Sequence, residues 1–131
     1  MRPRGADAYR RTEVQSSSPL ELVVLLYDGA IRFVLESRRA IATKDVRART
    51  AAVTRALAIV AELQNTLNVA EGGDVARELD RLYTYMSARL LDVTAKGDDD
   101  AAKEVHTLLQ TLRDGWSQLA AGGAAPAPVT R

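Results

Sequence analysis

The chain has 131 residues, enough for one domain that buries about two-thirds of its unfolded surface without covalent staples. Its 18 Lys and Arg stand against 17 Asp and Glu, which excludes the overall basic field that nucleic acid or an anionic membrane would favour. It contains no cysteine, so disulfides, thiolate metal sites and cysteine nucleophiles are excluded, and a reducing cytosol is compatible with the composition.

Residues 1–17 are polar, with Arg2, Arg4, Arg10 and Arg11 against Asp7 and Glu13. Only Tyr9 and Val14 offer apolar anchors, too few to offset the ordering entropy of the segment by themselves. It reads as a flexible N-terminal arm, either a disordered tail or a lid docked through those two residues. No apolar stretch follows the terminal arginines as a secretory signal would require, and no later run is long enough to span a bilayer. A soluble cytoplasmic protein without membrane insertion is therefore expected.

The first helix starts at Ser18-Pro19. Serine suits the cap, proline suits the first helical position, and Glu21 can reach back to close a capping box. Turning the sequence at 100° per residue puts Leu20, Val23, Val24, Tyr27, Ile31, Val34 and Ile41 on one face, which predicts a core face. Leu22, Leu26 and Phe33 form a second stripe with Ala30 between, so the apolar arc spans roughly 220° where about 100° suffices for packing on one side. Either other segments of the chain cover that second stripe, or it is a groove that another apolar chain fills.

Thr43-Lys44-Asp45 makes a polar break, with Asp45 a suitable cap for a second helix running to about Val69. Its core stripe is Val46, Val53, Ala56, Leu57, Val60, Leu63 and Leu67, and Ile59 lies outside it. Gly72-Gly73 predicts a turn, and Asp74 then caps a third helix facing the core with Val75, Leu79, Leu82, Met86, Leu90 and Val93. Tyr83 falls at the edge of that face, whereas Tyr85, Ala88 and Leu91 point elsewhere. Lys96-Gly97 ends the third helix, and Asp98-Asp99-Asp100 opens a fourth with negative charge at its positive dipole end. Ala101, Val105, Leu108, Leu109, Leu112, Trp116 and Leu119 form its stripe, and Gly122-Gly123 ends it before a low-complexity tail. Four helices joined by short breaks predict an all-α, antiparallel up-down-up-down four-helix bundle over residues 18–121, with an arm over 1–17 and a disordered tail over 122–131.

The residues that enzymes and cofactor sites require are missing. His106 is the only histidine, lies off the helix-four stripe and has no evident partner for base catalysis. Glu104 and His106 are two apart and point to different faces, unlike a di-iron bundle motif, and the Asp triplet lacks the alternating oxygen ligands of a calcium loop. Gly72-Gly73 has neither the strand nor the lysine of a phosphate loop. No enzyme, cofactor or metal is expected.

Read in order, Ala8-Tyr9, Ser17-Ser18-Pro19 with Leu22-Val23, Leu25-Leu26-Tyr27-Asp28-Gly29-Ala30-Ile31, Gly72-Gly73, Leu82-Tyr83-Thr84-Tyr85-Met86 with Arg89-Leu90, and Glu104-Val105 through Leu112 to Trp116 resemble the FliS flagellar export chaperones. That resemblance covers residues 8 to 117. It implies a cytoplasmic bundle that holds the C-terminal segment of flagellin and prevents its polymerisation before type III flagellar export. It also implies that the arm, through Tyr9, covers part of the groove in the free protein. The candidate flagellin contacts are Tyr9 together with the surplus apolar residues Leu22, Leu26, Phe33, Ile59, Tyr85 and Leu91. Export-gate components are expected as further partners, and the chain itself as a monomer or weak homodimer. A structural homodimer whose surplus faces cover each other, or a chaperone for another axial protein, are the rival readings.

Overall fold

Ser18 starts the first helix by a reciprocal capping box: its Oγ accepts the Glu21 N–H at 3.2 Å while Glu21 Oε1 accepts the Ser18 N–H at 2.8 Å. The Ser18 N–H holds the Glu21 carboxyl below its usual range. The computed structural model describes residues 18–67 and 69–122, so the expected arm with Tyr9 and Val14, and the tail after Gly122, lie outside the described residues. Helix α1 spans Pro19–Ala42 and stops where the Thr43 hydroxyl donates to the Arg39 and Ala40 carbonyls. Lys44 then turns the chain at φ 59. Helix α2, Val46–Asn65, is capped by Asp45, whose carboxylate accepts the Ala48 N–H at 3.0 Å. Helix α4, Asp99–Ala120, is capped in the same way by Asp98 toward Ala101.

The second helix ends earlier than the sequence reading places it. The sequence places the break at Gly72-Gly73 and carries the second helix to about Val69; in the structure α2 ends at Asn65 and α3 spans Val69–Lys96 with Gly73 inside it at φ 58, ψ −135. Thr66 closes α2 early by donating its hydroxyl to the Leu63 carbonyl at 2.7 Å. Only Gly73 of the glycine pair takes a positive φ, and its non-helical backbone interrupts the helix there, so a short helical piece from Val69 meets the main part of α3 across a kink at the break the sequence predicts.

The side-chain ties between helices fix their directions. Arg38 near the end of α1 binds Asp99 at the start of α4 at 2.9 Å, and Asp28 binds Arg113 at 2.8 Å, so α1 and α4 are antiparallel. Arg55 of α2 lies over Phe33 of α1, and Ile59 comes within 3.1 Å of where a Cβ on Gly29 would stand, which makes α1 and α2 antiparallel and closely apposed. Arg49 donates to the Thr94 carbonyl at 2.9 Å while Gln64 reaches Asp80 and Thr84, setting α2 against α3. Arg89 and Tyr85 of α3 both bind Glu104 of α4. The architecture is an up-down-up-down four-helix bundle, and the diagonal helices α1 and α3 meet through the hydroxyls of Tyr27 and Tyr83, 2.5 Å apart.

The deepest line of α1 is Tyr27, Ala30, Val34, Ser37 and Ala40, rotated from the expected core face toward Ala30. Two neighbours explain the shift: the line of greatest burial bisects the two apolar stripes, one leaning toward α4 and the other toward α2. Ser37 is tolerated there because its hydroxyl donates to the Val34 carbonyl at 2.6 Å. Val53, Ala56, Val60 and Leu63 of α2, Leu79, Met86, Leu90 and Val93 of α3, and Val105, Leu109 and Leu112 of α4 complete the core, where a fully buried aliphatic side chain contributes about 1.5–3 kcal/mol. Two assignments from the sequence are corrected. Tyr83, expected at an edge, is fully buried because it meets Tyr27 across the diagonal. Val46, expected in the core, is 57% exposed, since Arg49 already lies against Thr94 and Gly97 and the turn before it has run past the end of α3.

Candidate functional site

The apolar surplus of α1 divides around the core. Leu26 and Phe33, with Ile59 from α2, pack partly buried against the core cluster along the α1–α2 seam, and half-buried Leu22 lies one turn before Leu26 on the same stripe. The chain's own α2 thus covers part of the second stripe and leaves part of it open. Gly29 is the reason the seam is tight, because a side chain there would press on Ile59. Phe33 is flanked by guanidinium groups, with Arg32 4.9 Å and Arg55 5.7 Å from the ring centroid, so its exposed part is a cation–π assembly and not bare apolar surface.

Tyr85 and Leu91 are exposed at 43% and 56%, as the helix-three periodicity implies, but they do not join the α1–α2 seam. Tyr85 donates its hydroxyl to Glu104 at 2.8 Å beside the Arg89 guanidinium, which also binds Asp92 at 3.1 Å. Within this cluster the Tyr85 hydroxyl, followed by Arg89, holds the Glu104 carboxyl below its usual range, while bonding to that carboxylate pushes the Tyr85 phenol up. Leu91 is on the flank of α3 nearer α2. The seven candidate contacts therefore fall into a seam group of Leu22, Leu26, Phe33 and Ile59 and a separate pair on α3, and Tyr9 is outside the described residues.

Two concavities have no counterpart in the sequence reading. One, of about 410 Å³, lies at the end of α1 among Leu35, Arg38, Arg39, Ile41, Ala42 and Asp99. The other, of about 370 Å³, lies at the opposite end of the bundle, where Leu67, Gly72, Val75, Leu79 and Trp116 meet. The signal for the second is Gly72: a Cβ there would stand 2.6 Å from that of Ala76, so only glycine lets the chain pass so close. Trp116, expected simply as a stripe residue, sends its indole N–H inward toward the Tyr27 hydroxyl, near enough to oppose the rise in that phenol's pKa but without hydrogen-bond geometry.

The perturbed groups among the described residues serve the fold. Burial, and then the neighbouring hydroxyl of Tyr83, push the Tyr27 phenol far above its ordinary range, and burial also raises Tyr83, so both stay protonated, one hydroxyl donating to the other. Asp98 and Asp99 of the acidic triplet are engaged, one as the cap of α4 and the other by Arg38, whose hydrogen bond holds the Asp99 carboxyl low. Among the described residues no cluster of His, Asp or Glu side chains could hold a metal ion, and no helix is long and apolar enough to cross a membrane.

The sequence is similar to known proteins over most of its length. The family described as Flagellar protein FliS matches residues 2–123. The flagellar secretion chaperone FliS of Salmonella typhimurium is 33% identical over 88% of this chain and 89% of its own. That of Campylobacter jejuni is 33% identical over 86% and 88%, and the flagellar secretion chaperone FliSB of Pseudomonas aeruginosa 31% identical over 79% and 82%. With the match running through all four helices and across the seam, the chain belongs to the FliS family of flagellar proteins.

Proposed function

We propose that this protein is a cytoplasmic flagellar export chaperone that binds the C-terminal segment of flagellin and keeps it from polymerising before secretion. The observation that carries the reading is the α1–α2 seam, a row of partly buried apolar side chains in a bundle whose relatives are named flagellar secretion chaperones. A helix in its client that would otherwise pair with other flagellins buries its anchors on this row, and occupancy alone blocks assembly, so no nucleotide is needed. Leu22, Leu26, Phe33 and Ile59 would form the main contact, with Tyr85 and Leu91 meeting a further stretch of the same client, and Tyr9 competing for the groove. Export-gate components would receive the loaded chaperone.

Calorimetric titration of the full chain with the C-terminal segment of flagellin from the same organism tests this. A saturable isotherm with a negative heat-capacity change is expected, since apolar surface leaves water on binding. No heat, together with an unchanged elution volume for the mixture, would remove flagellin as the client.

A further inference from the structure

We infer that the helix received by the α1–α2 seam carries carboxylates along its flanks and lies with its C-terminal end toward the turn between α1 and α2. This rests on the proposed chaperone role and specifies the chemistry of the client at that site.

The inference comes from the distribution of charge. Arg38, Arg77, Arg81, Arg89 and Arg113 each meet a carboxylate, and Arg49 spends its guanidinium on the Thr94 carbonyl. Arg32, Arg39, Arg47 and Arg55 are different: no ion pair forms to any of them among the described residues, and all four are exposed. They are also together. Arg32 and Arg55 share the Phe33 ring, Arg39 stands two turns beyond Arg32 on the same side of α1, and Arg47 stands about two turns before Arg55 on antiparallel α2. Lys44 in the turn extends the group. The acids nearby are Glu36, half-buried on α1, and Asp45, whose carboxylate caps α2. The seam is thus an apolar floor bordered by cations that have no carboxylate partner among the described residues, a surface that favours an amphipathic helix with acidic borders over a neutral or basic one.

Direction follows from the same residues. Along α1 the outward charges run Glu21, Asp28, Arg32, Glu36 and Arg39, acidic in the first half and net basic in the second, and along α2 they run from Arg47 and Arg55 to Glu62. Because the two helices are antiparallel, both gradients place acid at one end of the seam and base at the other. A helix presents partial positive charge at its N-terminus and partial negative charge at its C-terminus, and a C-terminal segment can add its terminal carboxylate. The client helix therefore runs parallel to α1.

Fluorescence anisotropy of the labelled flagellin C-terminal segment, titrated with the full chain, tests the charge requirement. Arg32→Glu combined with Arg55→Glu is expected to weaken binding at least about tenfold at low salt, and the milder pair Arg39→Gln and Arg47→Gln about threefold, with far-UV helicity unchanged. The exposed pair Arg77→Glu and Arg81→Glu, on α3, should change affinity less than about twofold, and added salt should weaken binding to the wild type. Binding by the wild type that is insensitive to salt and equal in all the variants would overturn the inference while leaving the chaperone role standing. Absence of binding by the wild type would instead remove the chaperone role. For direction, the cysteine-free chain accepts a single nitroxide at Ala48→Cys or at Ala58→Cys. A fluorophore on the N-terminus of the bound segment should be quenched more from position 58 than from position 48, and the reverse order would overturn the orientation.

Discussion

Tyr27 and Tyr83 show how much of the bundle depends on a pair of hydroxyls. Each is fully buried, each comes from a helix that does not otherwise neighbour the other, and one hydroxyl donates to the other. Removing one hydroxyl leaves the other buried without its bond, which costs about 1–2 kcal/mol, whereas removing both leaves an apolar contact of similar shape. Tyr27→Phe and Tyr83→Phe should each lower unfolding stability by that amount in urea titrations, and the double variant should lose less than the sum of the two. Glycine is held to stricter terms at the kink of α3. Gly73 has open space around it, but its φ 58 with ψ −135 is a backbone region that residues with a Cβ rarely enter, whereas Gly97 at φ 64 has the flexible end of Arg49 2.9 Å from where a Cβ would stand. Gly73→Ala should cost about 1–3 kcal/mol from the backbone alone, and Gly97→Ala about 1–2 kcal/mol, the guanidinium shifting aside. A larger loss at Gly97 in urea titrations would show that Arg49 is held in place by the Thr94 carbonyl.

At the scale of helices, local chemistry was legible wherever one residue settles the structure. The capping box at Ser18, the caps at Asp45 and Asp98, and the positive φ at Gly97 all follow from side chains acting on their own backbone. What is not legible is decided by a second helix. Val46 has the periodicity of a core residue but no helix opposite it, and Tyr83 has the angle of an edge residue but a partner across the diagonal. The break at Gly72-Gly73 is legible, whereas which of the two glycines takes the positive φ, Gly73, is not. The candidate surface shows the same division. Its surplus of apolar residues was visible in α1 alone, whereas the arginines that flank Phe33 come from two helices, and nothing in the spacing of Arg32 and Arg55 announces that they share a ring.

For the molecule as a whole, the perturbed groups define a stability profile with two limbs. The carboxyls of Asp99, Glu104 and Glu21 lie below their ordinary values, held respectively by Arg38, by Tyr85 and Arg89, and by Ser18. Groups depressed in the folded state bind protons more readily when unfolded, so their contribution is present above the usual carboxylate range and is lost as pH falls through about 4 and below. Tyr27 and Tyr83 act in the opposite sense: raised in the fold, they stay protonated while the unfolded phenols ionise near about 10, so stability falls as pH rises beyond that point. Thermal midpoints recorded across pH should show a plateau between these limbs. Asp99→Asn should flatten the acid limb, and the double tyrosine variant should flatten the alkaline one; an alkaline limb unchanged by it would mean that other groups set the decline.

The position of Trp116 against the Tyr27–Tyr83 joint also gives the protein an optical signature of its own. It is the only tryptophan in the chain, and two of the four tyrosines meet in the core beside it. Excitation absorbed by those phenols passes to the indole while the helices are assembled and ceases to do so when they separate. The emission of the unlabelled protein therefore follows the opening of the diagonal joint itself, at the end of the bundle from which α1 begins and at which α4 ends.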